Sequence, residues 1–405
     1  MITNSYVPGS VTVGGDETGL QVTKQVTGAP ALSEFAFTLQ LTSDNAANVE
    51  GLGEGNAITE STTGLTGKED SETVDFGELT FTAVGDYVFT VKEDTEKPAD
   101  ADGWTYDNSS YTITVHVTDE NYDGQLDATV EGNNPTVTNQ YKANEVVIGG
   151  DSGNTGIAVQ KTLFGRNWQE GDSFSFTLAA ADGTPMPVEG EEIVTISNED
   201  TEKTAEFGAI TYTETGTYHY TVTEAGGNIG GVTYDKHIAN VTVNVTDENY
   251  DGQLDAEVTY DNNTEGVYED DADVTTIAAF TNTYEPGGTV QPGTGDAKAQ
   301  LTKELVGRDW MEGDQFSFTI TADEDTPAET LPAETTVTVG KPESGNSNTF
   351  DFGPFTFNAE GVYHYTVREE GAGTTVNGIT YSNNVAHITI DVTDDLHGGF
   401  AASVT

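Results

Sequence analysis

Three lysines recur at matched positions along the chain, and each interrupts the apolar face of a predicted β-strand. They are Lys24, between Val22 and Val26; Lys161, between Val159 and Leu163; and Lys303, between Leu301 and Leu305. Residues i, i+2 and i+4 of a strand point to the same side of a sheet. Each lysine is therefore predicted to face inward. Because burying an amine is costly unless another group compensates for it, the fold must supply a partner at all three places.

A glutamate and an asparagine break the same pattern elsewhere in each repeat. The phrase Gly-x-Tyr-x-(Phe/Tyr)-Thr-Val-x-Glu occurs three times and ends on Glu93, Glu224 and Glu369. In every copy the glutamate is in step with tyrosine and valine residues that are predicted to face inward. Asn139 and Asn282 lie in step with apolar residues in the same way, near the end of the first and second repeats. The sequence therefore predicts inward-facing Lys, Glu and Asn side chains in one repeat unit.

Length and composition indicate about three all-β domains. The chain has 405 residues, which is enough for about three domains of ordinary size. Short runs rich in Thr, Val, Tyr and Phe alternate with turn residues, and no amphipathic helix of useful length is visible, which is typical of β-sandwiches. The predicted fold class is all-β, with tandem β-sandwich domains.

The repeats set the predicted domain boundaries. We expect three domains at residues 17–144, 157–286 and 297–405, joined by Gly-rich linkers at 145–156 and 287–296. The third repeat matches the second only as far as residue 405, before the strand that carries the asparagine. Residues 2–6 resemble that strand and include Asn4. We therefore expect residues 1–16 to be a terminal strand of a preceding or neighbouring domain, followed by a linker.

Charge and cysteine content exclude several classes of function. The formal net charge of −55 argues against nucleic acid and anionic membrane as partners, since both require basic patches. We expect no insertion into a membrane, because no segment is apolar and long enough. The chain has no cysteine, so a secreted β-sandwich of this sequence must be stable without disulfides or use another crosslink.

The predicted Lys, Glu and Asn sets could react with one another. Burial lowers the pKa of a lysine and raises that of a glutamate, so both can be neutral. A neutral amine is a nucleophile, and a protonated glutamate could bond the asparagine carbonyl and relay protons. Attack on the amide carbon would release ammonia and leave an isopeptide bond, once per site and without turnover. The alternative is an unreactive buried Lys–Glu ion pair beside a hydrogen-bonded asparagine.

The order of the motifs resembles a known family. Lys-x-Leu-x-Gly-Arg-x-Trp followed by Gly-Asp-x-Phe-Ser-Phe-Thr occurs at residues 161–177 and 303–319, and Phe-Thr-Asn-Thr-Tyr closes the second repeat. This order is similar to the isopeptide-linkage repeats of streptococcal-type backbone pilins and related Gram-positive surface adhesins. The first repeat departs from it, because the residues after Lys24 lack the Arg and the Trp.

The resemblance implies immunoglobulin-like (Greek-key) sandwiches with self-generated bonds on the Gram-positive cell surface, outside the cell. The implied crosslinks are Lys24–Asn139 and Lys161–Asn282, with Glu93 and Glu224 as catalysts, and Lys303 and Glu369 occupy the matching positions in the third repeat. No turnover enzyme is implied, and no motif for one is visible.

Two functions from different classes fit these features. The first is a structural fibre or stalk protein of pilin or adhesin type, and the second is a ligand-binding adhesin module for a host protein or glycan. The long insertions at residues 262–273 and 323–341 are polar, which favours the stalk. We further expect the N-terminal strand to dock into the incomplete third domain of another copy, placing Asn4 against Lys303 and Glu369. Repeated head to tail, this contact would build a fibre. The alternative is that both ends are cut points in a longer array of identical repeats.

Two acidic loops resemble the first half of a calcium-binding loop, Asp-x-Asn-x-Asp-Gly. The candidate ligands are Asp119, Asn121 and Asp123 in the first repeat and Asp247, Asn249 and Asp251 in the second. The alternative is a β-hairpin turn closed by Asp-Gly. Apart from calcium, no cofactor is expected.

Overall fold

The computed structural model describes residues 1–15, 19–99, 101–261, 276–288 and 299–405. The polar insertion at residues 262–273 and most of the expected linker at 287–296 lie outside these described residues. No described helix is long and apolar enough to cross a membrane.

The described residues form 32 β-strands and four single-turn 3₁₀ helices. In the first repeat the strands are β1 (Val11–Val13), β2 (Gln21–Thr27), β3 (Ala36–Leu41), β4 (Val49–Glu50), β5 (Ala57–Ser61), β6 (Glu69–Asp75), β7 (Leu79–Phe81), β8 (Gly85–Glu93), β9 (Trp104–Thr105), β10 (Ser110–Thr118), β11 (Asp127–Glu131) and β12 (Thr136–Tyr141). In the second they are β13 (Val146–Ile148), β14 (Ala158–Phe164), β15 (Ser173–Ala180), β16 (Ile193–Ser197), β17 (Thr204–Glu206), β18 (Ile210–Tyr212), β19 (Gly216–Glu224), β20 (Val232–Thr233), β21 (Ile238–Thr246), β22 (Asp255–Asp261) and β23 (Ala278–Tyr284).

The third repeat contains β24 (Leu301–Glu304), β25 (Gln315–Ala322), β26 (Thr336–Gly340), β27 (Ser347–Phe350), β28 (Gly361–Glu369), β29 (Thr375–Val376), β30 (Ile379–Thr380), β31 (Val385–Asp394) and β32 (Phe400–Val404). The 3₁₀ helices are Ala46–Asn48, Glu54–Asn56, Gly150–Ser152 and Ala328–Thr330. The prediction of an all-β fold is confirmed.

Each of the first two repeats contains a five-stranded and a four-stranded sheet. In the first repeat the strand orders are β11-β10-β8-β3-β5 and β6-β2-β12-β9; in the second they are β16-β15-β19-β21-β22 and β17-β14-β23-β20. The third repeat has the matching five-stranded sheet, β26-β25-β28-β31-β32, but β24 pairs only with β27. The third repeat thus keeps one sheet of the sandwich and only part of the other.

The first and last strands of each complete sandwich lie side by side and run parallel. Strand β2 pairs with β12 so that Lys24 is opposite Val137 and Asn139 is opposite Val26. Strand β14 pairs with β23 in the same register, with Asn282 opposite Leu163. The pairing places the lysine of the first strand and the asparagine of the last strand two residues apart, on the same face of the sheet.

The buried apolar residues form separate cores within the repeats. One core lies within residues 13–141, a second within 146–284, and two smaller ones within 305–392. Buried and partly exposed residues alternate along β2, and Lys24 is one of its fully buried members. The period-two pattern therefore predicted correctly which way this lysine points.

The N-terminal segment forms no strand before β1 in the described chain. It lies instead against the first domain, where the Tyr6 hydroxyl donates to Asp119 (2.8 Å) and the Gly9 N–H donates to the Gly124 carbonyl (2.9 Å). The expected strand at residues 2–6 is therefore exposed and without a sheet partner in this chain.

Gly165 illustrates how tightly the last strand closes the sandwich. It follows β14 in the left-handed region, at φ +103°, and a Cβ there would lie 2.1 Å from the Tyr284 carbonyl oxygen. Gly171 has a similar φ of +89° but faces open space.

We expect Gly165→Ala to destabilise the second domain roughly twice as much as Gly171→Ala, because only the first adds a steric clash to the left-handed backbone. The cost of holding alanine in the left-handed backbone conformation, which both variants share, is about 1–2 kcal/mol. Denaturant unfolding of the two variants measures the difference, and equal losses would contradict the close approach.

Candidate crosslinking sites

In the first domain, the predicted lysine, glutamate and asparagine meet between the two sheets. Lys24 comes from β2, Glu93 from the end of β8, and Asn139 from β12. The Lys24 Nζ lies 2.9 Å from Glu93 Oε2, and the Asn139 amide nitrogen donates to Glu93 Oε1 at 3.0 Å. The side chains of Lys24 and Glu93 are 0% and 1% exposed, and Asn139 is fully buried. One carboxyl group therefore bridges the two nitrogen atoms at a site that is buried between the sheets.

The second domain repeats this arrangement. The Lys161 Nζ lies 2.9 Å from Glu224 Oε2, and the Asn282 amide nitrogen donates to Glu224 Oε1 at 2.8 Å. All three side chains are buried. The two sites come from separate stretches of sequence, so their common geometry is a property of the repeat.

Burial shifts the pKa of Lys24, Lys161 and Glu224 in the direction that nucleophilic attack requires. Desolvation lowers the pKa of Lys24 and of Lys161, although the neighbouring glutamate opposes the shift in each case. Desolvation also raises the pKa of Glu224. Both shifts favour the neutral amine and the neutral carboxylic acid over the ion pair.

Aromatic rings line the lysine side of each site. The Nζ atom of Lys24 lies 4.5 Å from the centre of the Phe35 ring, and that of Lys161 lies 5.0 Å from the centre of the Phe174 ring. These rings exclude water and offer the amine a cation–π contact while it is still protonated.

A backbone N–H group holds the asparagine carbonyl in both sites. The Asp107 N–H donates to Asn139 Oδ1 at 2.9 Å, and the Asp235 N–H donates to Asn282 Oδ1 at 2.7 Å. We expected the glutamate to bond this oxygen, but the structure places the glutamate on the amide nitrogen instead. Since a backbone N–H can only donate, it fixes which end of the amide is the carbonyl.

This donor was not predicted from the sequence, although a signal existed. The phrase Gly-x-Thr-Tyr-Asp occurs at residues 103–107 and 231–235, whereas Tyr-Asp alone also occurs elsewhere in the chain. The Asp235 carboxylate accepts hydrogen bonds from the N–H groups of Thr281 and His237, at 2.9 and 3.0 Å. Through Thr281 it is attached to the strand that carries Asn282, which keeps the Asp235 N–H aimed at that amide. Burial alone would raise the pKa of Asp235, but these hydrogen bonds lower it overall.

The third domain holds two of the three groups. Lys303 Nζ lies 2.6 Å from Glu369 Oε1, and the Ser382 N–H donates to Glu369 Oε2 at 2.8 Å. Ser382 follows a tyrosine, as Asp107 and Asp235 do. No described residue supplies an asparagine amide to Glu369, and the structure of one chain does not bring Asn4 to this site.

A groove of about 300 Å³ opens beside Lys303 and Glu369, and a second of about 530 Å³ continues it along β24 toward Gly378. In the second domain the corresponding space, between β14 and β20, is filled by β23. The third domain therefore presents an open slot where the other two have their last strand.

The acidic loops do not assemble a metal site in the described part of the chain, where no three His, Asp or Glu side chains converge. Asp123 accepts a hydrogen bond from the Asn121 amide (3.1 Å), and Asp251 accepts one from Asn249 (2.8 Å). Asp119 and Asp247 accept instead from the tyrosine hydroxyls of Tyr6 and Tyr141. Calcium at these loops stays a prediction.

The geometry brings together the groups that an acyl transfer would require. The lysine amine is desolvated, the glutamate contacts both nitrogen atoms, and a backbone N–H donates to the asparagine carbonyl oxygen. Together, the fold and these sites define a class: tandem β-sandwich domains built around buried Lys–Glu–Asn sets.

Comparison with known proteins identifies the family. Residues 20–142, 157–285 and 299–405 each match the FctA family, described as the Spy0128-like isopeptide containing domain. The chain belongs to this family, and it is a structural protein of the pilus backbone or stalk type. No curated protein of known function matches the chain.

Solved structures of pilus proteins show distant similarity. The major pilin of Streptococcus pyogenes is 20% identical, with 65% of this chain and 98% of that chain covered and a TM-score of 0.23. The major pilin SpaD of Corynebacterium diphtheriae is 12% identical, covers 92% and 91%, and has a TM-score of 0.14. The pilus adhesin SpaC of Lactobacillus rhamnosus GG is 14% identical, covers 98% and 40%, and has a TM-score of 0.16. Such values support no inference about the function of this chain.

We expect Lys161 and Glu224 to contribute to the stability of the second domain only as a pair. In an Asn282→Ala chain, where no crosslink can form, Glu224→Ala should cost about 3–5 kcal/mol because Lys161 loses the carboxylate that it contacts. Replacing both members, Lys161→Met with Glu224→Leu, should restore most of this stability. Denaturant unfolding of the second domain measures both changes, and a double variant as unstable as the single one would contradict the pairing.

Proposed function

We propose that the first two domains form the isopeptide bonds Lys24–Asn139 and Lys161–Asn282 without any other protein. In the second domain, Lys161 Nζ bonds to Asn282 Cγ and the Cγ–Nδ2 bond breaks. One proton passes from Nζ to Glu224, and Glu224 gives one proton to the departing nitrogen, so ammonia leaves. The observation that supports this relay is the bridging carboxyl group, which lies within hydrogen-bond distance of both nitrogens.

Proximity and electrostatics lower the barrier for a poor electrophile. Fixed intramolecular reactants reach effective molarities on the order of 10⁵–10⁸ M. The Asp235 N–H stabilises the oxyanion on Asn282 Oδ1 as the tetrahedral intermediate forms. The same roles fall to Glu93 and the Asp107 N–H in the first domain.

The unreactive ion pair is the competing explanation. A buried Lys–Glu pair adds little net stability by itself, whereas a covalent bond between the first and last strands closes a loop that contains nearly a whole domain. By analogy with a disulfide, closing a loop of roughly 100 residues stabilises the fold by about 4.7 kcal/mol. In a chain without cysteine, such bonds would supply the crosslinks that a secreted sandwich often obtains from disulfides.

Intact-mass measurement tests the bonds. The purified protein should be lighter than its sequence mass by two ammonia molecules, and Glu224→Ala should lose only one, because the second domain loses its proton relay. Glu257→Ala, at an exposed position on β22, is the matched control and should still lose both.

A purified protein at its full sequence mass would contradict both proposed bonds. Loss of both ammonia molecules from Glu224→Ala would instead refute the role assigned to the glutamate.

We further propose that the N-terminal strand of one copy fills the open slot in the third domain of another. By analogy with the register of β14 and β23, Ile2 would lie opposite Lys303 and Asn4 opposite Leu305. Asn4 would then face the Lys303–Glu369 pair, and the Ser382 N–H could transfer from Glu369 to the incoming carbonyl. The partner is thus another copy of this chain, and the product is a head-to-tail fibre on the outside of a Gram-positive cell.

A glycine next to the slot supports this strand addition. A Cβ on Gly307, which has a φ of +97°, would meet no atom within 4 Å, whereas a Cβ on Gly28 or Gly165 would lie 2.1 Å from a carbonyl of the last strand. Gly307 therefore has the conformation needed to receive a strand that the third domain of a single copy does not contain among its described residues.

Denaturing gel electrophoresis tests the exchange. At high concentration the chain should give a ladder of multimers, and Asn4→Ala should give monomer only, because the amide electrophile is gone. Ser5→Ala, one residue away on the opposite face of the strand, is the control and should keep the ladder.

A single monomer band for the unchanged chain would contradict covalent polymerisation. A ladder that persists in Asn4→Ala would show that another residue forms the bond. No observation on the described residues favours the alternative of a ligand-binding adhesin module.

A further inference from the structure

Two tyrosines join the three domains by the same set of contacts. The Tyr141 hydroxyl donates to Asp247 (2.6 Å) and accepts from the Gly252 N–H (2.9 Å). The Tyr284 hydroxyl donates to Asp394 (2.6 Å) and accepts from the Gly398 N–H (3.1 Å). Each tyrosine ends the last strand of one domain, and its acceptors lie in a loop of the next domain. We call residues 119–124, 247–252 and 394–398 the acceptor loops.

A backbone hydrogen bond completes each joint. The residue three positions after the tyrosine donates its N–H to the carbonyl of the loop glycine: Asn144 to Gly252 at 2.8 Å, and Gly287 to Gly398 at 3.1 Å. The loop glycines have φ of +88° and +97°. The residues that follow the last strand of one domain are therefore held by hydrogen bonds to the next domain.

A glycine turn of the preceding domain packs directly on the acceptor loops of the second and third domains. A Cβ on Gly252 would lie 2.6 Å from the backbone of Asp102, and a Cβ on Gly398 would lie 2.3 Å from the backbone of Gly230. In the opposite direction, a Cβ on Gly103 would lie 3.1 Å from the Gly252 Cα. Backbone meets backbone at these joints, so neither side has room for a side chain.

The acceptor loop of the first domain contains half of a third joint. Tyr6 donates to Asp119 at 2.8 Å and accepts from the Gly124 N–H at 2.9 Å, and Gly9 donates to the Gly124 carbonyl at 2.9 Å. These contacts match those of Tyr141 and Tyr284. Tyr6 nevertheless remains 54% exposed, whereas Tyr141 and Tyr284 are 6% and 3% exposed.

The other half of this joint is open at the far end of the chain. A Cβ on Gly124 would meet no atom within 4 Å, and the same holds for Gly378 in the third domain. Gly378 precedes Ile-Thr-Tyr, as Gly103 precedes Trp-Thr-Tyr and Gly231 precedes Val-Thr-Tyr, and its φ of +81° is close to their +79° and +71°. Gly124 and Gly378 thus correspond to the two surfaces that touch at the internal joints.

We propose that the Gly124 acceptor loop of one copy docks on the Gly378 turn of a second copy, with Tyr6 seated between them, to form a third joint of the same construction. This inference rests on the proposed head-to-tail association and names the surface that aligns it. The donated strand would end at Tyr6, next to β30, which directly follows Gly378. The joint would then hold two copies in the same relation as two successive domains of one chain.

In this proposal the acceptor loops bind a tyrosine hydroxyl group and not calcium. The third loop is one residue shorter and lacks the Asp-x-Asn-x-Asp pattern, yet it makes the same contacts with Tyr284. The residue two positions before the glycine has positive φ in all three loops, at Tyr122, Tyr250 and Leu396. What the three loops share is therefore the tyrosine contact.

Sedimentation of the full chain in its Asn4→Ala form tests the joint, because no covalent bond can form there. This chain should associate reversibly, and Gly124→Ala or Gly378→Ala should abolish the association by placing a methyl group in the backbone contact. Gly183→Ala is the matched control: its φ is +88°, it faces open space, and it should associate normally. Tyr6→Phe should weaken association up to about tenfold, because the two hydrogen bonds that it removes lie within one copy and hold its strand in position for docking.

Thermal unfolding of each variant verifies that it is folded, and association should be the same in chelator and in millimolar calcium. Three results would overturn the proposed joint. They are unchanged association in both Gly124→Ala and Gly378→Ala, no association of the Asn4→Ala chain, and a requirement for calcium. A missing ladder on denaturing gels beside intact reversible association would instead contradict only the proposed covalent bond.

Discussion

The buried contact between a lysine and a glutamate is the constraint on which each domain depends. Lys24 lies on the four-stranded sheet and Glu93 on the five-stranded sheet, so their contact spans the interior of the sandwich. Neither charge is tolerated there alone. This pair needs further contacts, because burial removes water from both groups. The Phe35 ring covers the amine, and Asn139 donates a hydrogen bond to the carboxyl group.

Much of the site could be predicted from sequence because strand parity determines which face a residue occupies. Lys24, Glu93 and Asn139 each share a face with apolar neighbours, and a sandwich has one interior in which such residues can meet. The Asp107 N–H could not be predicted in this way. Every residue except proline has an N–H, so strand parity does not identify the one that donates to the amide oxygen, and only the recurring residues before it do.

The acidic loops show a contact that the local sequence pattern did not indicate. The spacing of Asp247, Asn249 and Asp251 fits a cation, but Asp247 accepts its hydrogen bond from Tyr141, which belongs to another domain. Contacts between domains leave no periodic trace in sequence. Only the structure shows that Tyr6, Tyr141 and Tyr284 each donate a hydrogen bond to an aspartate of an acceptor loop.

The parallel pairing of the first and last strands has a mechanical consequence. A chain that enters along β2 and leaves along the parallel β12 does so at opposite ends of the sheet, so tension along a rod of these domains would load that ladder in shear. A bond from Lys24 to Asn139 would carry the tension directly between adjacent strands. The residues between Lys24 and Asn139 would then bear no tension and would not unfold under load. A stalk of this kind would transmit force with almost no extension.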